Sequence, residues 1–110
     1  MIFKREHVPM ILDGRKTQTR RTGKKRWNVG AVHQCKTSYT SKPFAMVRIL
    51  RVWQERLGGI NWRDAIAEGY PSQIEYLEAF YRIYKIPWWD TQPLNEPVWC
   101  VEFELVETPA

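Results

Sequence analysis

Within eight residues, Gly14-Arg15-Lys16-Thr17-Gln18-Thr19-Arg20-Arg21 places an amine, two hydroxyls and three guanidiniums behind a glycine. A threonine hydroxyl attacks a carbonyl only once a base takes its proton, and a lysine whose pKa is lowered by desolvation or neighbouring cations is such a base. Arg15, Arg20 and Arg21 supply the cations. Lys16 and Thr19 are three apart, so on a regular strand they face opposite sides. They converge only if Lys16 lies in a turn, which Gly14 permits by letting the chain reverse sharply. The bland alternative makes Lys16, Arg20 and Arg21 surface charges, and Thr17 and Thr19 ordinary strand residues. Other chemistries find less support. The chain has no Walker A, Cys-x-x-Cys, His-Glu-x-x-His or Gly-x-Ser-x-Gly motif. His7, His33 and Cys35 give only a thin basis for a metal pair or a Cys–His nucleophile, so neither metal nor cofactor is expected.

The segment resembles the ASCH domain, a PUA-like β-barrel family with the pattern Gly-x-Lys-x-x-Glu-x-Arg after its first helix. Gly14, Lys16 and Arg21 stand in register with that pattern, and Thr19 stands where it has Glu. This departure is similar to the version found in the small bacterial N4-acetylcytidine amidohydrolases of the same superfamily, which has Lys and Thr at this spacing. Those enzymes add a downstream Glu in a helical stretch before the last strand, and Glu68 in Asp64-Ala65-Ile66-Ala67-Glu68 matches it. The resemblance therefore implies a catalytic set of Lys16, Thr19 and Glu68 with Arg20 and Arg21 holding substrate. In that set Glu68 passes the proton to the leaving amine, and either Thr19 or a bound water attacks.

A non-catalytic reading is a nucleotide- or RNA-binding module, since PUA-like domains are associated with RNA. Lys24, Lys25, Arg26 and Trp27 form a basic and aromatic cluster able to hold a phosphate and stack a base, with Trp88 and Trp89 as a second wall. The competing assignment for these tryptophans is packing in a core or a lid.

The chain has 110 residues, 44% of them hydrophobic, enough for one domain over residues 1–110 with a real core. Two cysteines are too few for a zinc framework or a disulfide scaffold. With no secretory apolar region after Met1 and no apolar run of membrane length, a cytoplasmic protein is expected. The net charge of +5 conceals a polarised chain, with residues 1–60 carrying +11 and residues 61–110 carrying −6. Such a split either forms one positive surface around Lys16, Arg20, Arg21 and Lys24 to Arg26, or neutralises itself across the fold.

The elements that must position these residues follow from pattern. Glu6 to Gly14 predicts a brief helix with Pro9 in its first turn and Gly14 as its cap, then an exposed strand over Arg15–Arg21 and a basic loop over 22–30. Short strands are expected at Ala31–Thr37 and Phe44–Trp53, the second with a bulge near Leu50 where its apolar alternation slips. Asn61 caps a helix from Trp62 to Glu68, and Ser72 with Glu75 opens another that runs to Lys85. Ile74, Leu77, Phe80, Tyr81 and Tyr84 are its expected core face. A final strand, Val98–Val106, alternates Trp99, Val101, Phe103 and Leu105 against Cys100, Glu102 and Glu104. The sum is an α+β fold, a small PUA-like β-barrel of about five strands with helices packed on it.

Overall fold

The computed structural model describes residues 1–107. A 3-10 turn, Arg5–His7, runs into α1 (Val8–Leu12), where Pro9 occupies the first turn and Gly14, at φ +81°, ends the element. Four strands follow: β1 (Gln18–Arg21), β2 (Val32–Cys35), β3 (Ala45–Arg56) and β4 (Pro97–Glu107). Between β3 and β4 lie α2 (Trp62–Ala67) and α3 (Gln73–Ile83). All strand pairs are antiparallel in the order β1-β4-β3-β2, a curled half-barrel. Ile2 adds a bridge to Lys36 beyond β2, which brings the count close to the five expected.

The local signals act where the sequence puts them. The Asn61 side chain accepts from the Asp64 N–H, and the Ser72 hydroxyl accepts from the Glu75 N–H, so each satisfies one orphan donor of its helix. The register of β3 on β4 slips between Ile49 and Arg51, which leaves Leu50 as the extra residue of a bulge.

Two cores meet on β4. Phe3, Ile11, Trp27, Val47, Ile49, Val101 and Phe103 fill one, while Leu57, Ile60, Ala65, Tyr76, Phe80, Val98 and Cys100 fill the other. The alternation of a strand sends Val101 to the first and Cys100 to the second. Cys100 is thus fully buried, and Leu105 is exposed. The core face of α3 is rotated from expectation. Tyr76, Ala79 and Phe80 are buried at i, i+3 and i+4, Leu77 and Tyr81 are half-buried, and Ile74 and Tyr84 are exposed.

The strand expected to be exposed is covered. Gln18, Thr19 and Arg20 are buried, because α2 and the far end of β3 bring carboxylates over β1 that pair with its charges. Ion pairs of this kind join the basic half of the chain to the acidic half. Lys16 and Arg20 meet Glu68, Arg48 meets Glu104, Arg51 meets Glu102, and Arg82 meets Glu6. A single positive surface through Lys16 and Arg20 therefore does not form.

Candidate active site

The turn between α1 and β1 fixes Lys16 through its backbone. The Lys16 N–H donates to the Met10 carbonyl at 2.9 Å, the Thr17 N–H donates to the Ala67 carbonyl at 2.7 Å, and the Thr17 carbonyl accepts from the Phe103 N–H at 2.9 Å. Residues 16 and 17 are thereby held between α1, the end of α2 and β4. Lys16 precedes the strand, as convergence with Thr19 requires.

Glu68 is the C-terminal cap of α2, its N–H donating to the Asp64 carbonyl at 2.8 Å. Gly69, at φ +102°, then turns the chain away, and a Cβ there would stand 2.7 Å from the Met10 Sδ. A carboxylate at a helix C-terminus meets the negative end of the helix dipole and needs cations. Two are supplied. Lys16 Nζ donates to Glu68 Oε1 at 2.7 Å and to the Glu68 carbonyl at 3.1 Å, and Arg20 Nη1 donates to Oε2 at 2.8 Å. Lys16 is only 3% exposed and Glu68 1%.

Arg20 is the hub behind this pair. Its Nη2 reaches Glu55 Oε1 at 2.8 Å and Asp64 Oδ2 at 3.3 Å, its Nε reaches Glu55 at 3.2 Å, and its Nη1 also donates to the Gln18 side chain at 3.0 Å. Gln18 in turn donates to Asp64 at 3.0 Å. Burial opposes the Arg20 charge, but the charge of Glu68 and the hydrogen bonds Arg20 donates to Glu55 and Glu68 outweigh it, so its pKa lies above the usual guanidinium value.

On the other face of β1, Arg21 Nε donates to Thr19 Oγ1 at 3.1 Å while the guanidinium lies 4.8 Å from the Phe3 ring centroid. That bond uses the hydroxyl oxygen and leaves its hydrogen free to be given away. Burial lowers the Lys16 pKa, and the Glu68 charge only partly restores it. His7 Nε2 and the Tyr70 hydroxyl are 2.8 Å apart. Burial, then the Lys16 charge, pull the His7 pKa down to about 4, and burial pushes Tyr70 up to about 12, so both are neutral at pH 7.

These groups line one cavity of about 440 Å³. Lys16, Thr19, Arg20, Arg21 and Glu68 face it together, under a wall of Tyr70, Tyr76, Phe80 and Tyr84 and beside Lys4 and Arg5. Phe80 and Tyr84 stack at 4.4 Å between centroids, so the exposed Tyr84 extends the aromatic wall outward. The other sequence candidates lie elsewhere. Lys24, Lys25 and Arg26 are exposed on the loop before β2, with Lys25 Nζ 6.0 Å from the Trp99 ring. Trp27 is 6% exposed in the first core, so its faces are packed against protein. Trp88 and Trp89 are exposed after α3, at 87% and 67%, and do not line the cavity. Glu55, Asp64, Gln18, His7 and the tyrosine wall carried no motif. The one sequence signal for the first two is that a buried arginine demands carboxylates from the acidic half.

No family model and no curated protein matches this chain. Solved structures do. The ASCH domain of Lactobacillus crispatus JV V101 is 18% identical and superposes with a TM-score of 0.71 over 89% of this chain and 69% of that one. A protein of Enterococcus faecalis V583 is 18% identical, with a TM-score of 0.72 over 94% of this chain and 68% of that one. The ASCH protein of Zymomonas mobilis is 13% identical, with a TM-score of 0.63 over 98% and 69%. The fold is that of ASCH domains.

Proposed function

We propose that this ASCH-fold chain is an amidohydrolase that removes the acyl group from an N4-acylated cytidine-like nucleoside. The supporting observation is the convergence, in one aromatic-walled cavity, of a buried Lys16–Glu68 pair at 2.7 Å and a Thr19 hydroxyl already bonded to Arg21. The tyrosines and Phe80 offer faces to a flat base, which simple charge attraction would not require. Thr19 Oγ attacks the acyl carbonyl carbon, and its proton passes through the bound substrate or a water to the Lys16–Glu68 pair. Arg21 stabilises the negative charge that develops beside it. The C–N4 bond then breaks as the pair returns the proton to the leaving amine, and water hydrolyses the acyl-threonine to free acid and threonine. Lowering the Lys16 pKa suits this exchange, since a pair that holds its proton loosely gives and takes it at neutral pH. The proposal includes a cytoplasmic location, which two reduced, buried thiols favour.

The test is cytidine release from N4-acetylcytidine by the purified protein. Lys16→Ala, Thr19→Ala and Glu68→Ala are expected to lose similar large factors, on the order of a hundredfold or more, because the residues act as a unit. A wild-type protein that is inert on this substrate but binds RNA through Lys24, Lys25 and Arg26 would replace the hydrolase with the binding module.

A further inference from the structure

The cations lining the cavity are unequally neutralised. Lys16 shares Glu68, and Arg20 is surrounded by Glu55, Asp64 and Glu68. Among the described residues, Lys4, Arg5 and Arg21 have no carboxylate partner, although all three line the same space. Glu6, the nearest acid in sequence, is taken by a two-pronged bond from Arg82, 2.9 Å on each arm. Arg21 spends one donor, Nε, on Thr19, which leaves its two Nη groups for something else. Its charge is also felt around it. Burial is the first cause of the lowered pKa values of His7, Lys16 and the Met1 amine, but Arg21 pushes each of them further down. A neutral nucleoside leaves that positive potential uncompensated.

We propose that the cavity contains a phosphoryl subsite at Lys4 and Arg5, so that its ligand is a cytidine-like nucleotide carrying a 5′-phosphoryl group and not a free nucleoside. This rests on the nucleoside reading above. The acyl end occupies the buried part at Lys16, Thr19 and Glu68, and the ribose end points to the exposed Lys4 and Arg5. Arg21 lies between, its free donors facing the bound molecule. Two flexible cations beside a third, fixed one match a dianionic monoester better than the single charge of an internal diester.

The experiment is titration calorimetry of the intact protein with cytidine, cytidine 5′-monophosphate and the dinucleotide ApC, in which the cytidine 5′-phosphoryl group is an internal diester. At low ionic strength the monophosphate is expected to bind on the order of tenfold more tightly than cytidine. The difference should shrink to about twofold in 0.5 M salt, and likewise in the double variant Lys4→Gln/Arg5→Gln, because cytidine carries no phosphoryl group for those two cations to hold and only the monophosphate loses affinity. ApC matching the monophosphate assigns the phosphoryl group to RNA, and ApC matching cytidine assigns it to a mononucleotide. Equal affinity for cytidine and its monophosphate, or a difference that survives the double variant, overturns the subsite and leaves the nucleoside reading intact. If none of the three ligands binds, both fall together.

Discussion

Arg20 and Glu68 are 48 residues apart in sequence and 2.8 Å apart in space, and their bond fixes which carboxylate oxygen is left for Lys16. With Oε2 held by Arg20, Oε1 is aimed at the lysine amine. Arg20 acts in this way as a positioning residue, set behind the groups that would touch substrate.

Removing that guanidinium leaves Glu55, Asp64 and Glu68 clustered around a vacated charge. Arg20→Gln is expected to destabilise the fold by about 3–5 kcal/mol, the usual cost of stranding buried carboxylates. Arg20→Lys should recover only part of this, because one ammonium cannot reproduce the fork that engages three acids. Urea unfolding of the three proteins decides it, and an Arg20→Gln loss below about 1 kcal/mol would show the hub to be decorative.

Acid should weaken the protein through His7. The unfolded histidine takes up a proton near 6.5, while the folded one resists until about 4. Between those values the unfolded chain binds more protons, so stability falls as pH falls and levels off below the folded pKa. At about 1.4 kcal/mol per pH unit, the interval amounts to roughly 3 kcal/mol. His7→Gln keeps a polar partner for Tyr70 without the titration, and its stability curve should run flatter than wild type between pH 6.5 and 4. Parallel curves would remove His7 from the acid response.

Gly69 makes a third expectation. At φ +102° any side chain is strained, and the added methyl of Gly69→Ala also meets the Met10 sulfur. The expected loss is about 1–3 kcal/mol, read from the shift in urea midpoint at constant slope. In a Met10→Ala background the steric part disappears and the backbone part persists. Complete rescue there would mean that conformation plays no role.

The parts of this molecule legible from sequence are those encoded within a few residues. Asn61 and Ser72 announce helix starts because a side-chain oxygen three residues before an orphan N–H has one obvious use. The slip of apolar alternation near Leu50 marks a bulge because strand periodicity tolerates no other insertion. Lys16, Thr19, Arg21 and Glu68 stand out by their resemblance to a motif, and all four line the cavity. What sequence did not reveal depends on partners far along the chain. Arg20, in a run of Thr and basic residues, looks solvent-facing until Glu55, Asp64 and Glu68 arrive to satisfy it. Trp27 looks available beside three basic residues, yet its own residue turns inward to the first core while Lys24, Lys25 and Arg26 remain outside. On α3 the helical period is correct, and Leu77, Phe80 and Tyr81 do meet the core, but the face is turned toward Tyr76 and Ala79 and away from Ile74 and Tyr84, since phase is set by which side meets Val98 and Cys100 of a strand some twenty residues away.

The strand order β1-β4-β3-β2 gives the site a history as well as a shape. During synthesis β1 leaves the ribosome first of the four strands and β4 last, yet among the described residues β4 is the one strand on which β1 pairs. A nascent chain must therefore carry Lys16, Thr19 and Arg21 unpaired while the hairpin of β2 and β3 and both later helices emerge. Only when β4 slides between the two edges does the strand bearing these residues acquire a place in the sheet. Vectorial translation thus keeps this cavity unassembled until the final element arrives, and a ribosome stalled before Pro97 would display a chain that is chemically complete at its candidate site and unable to form it.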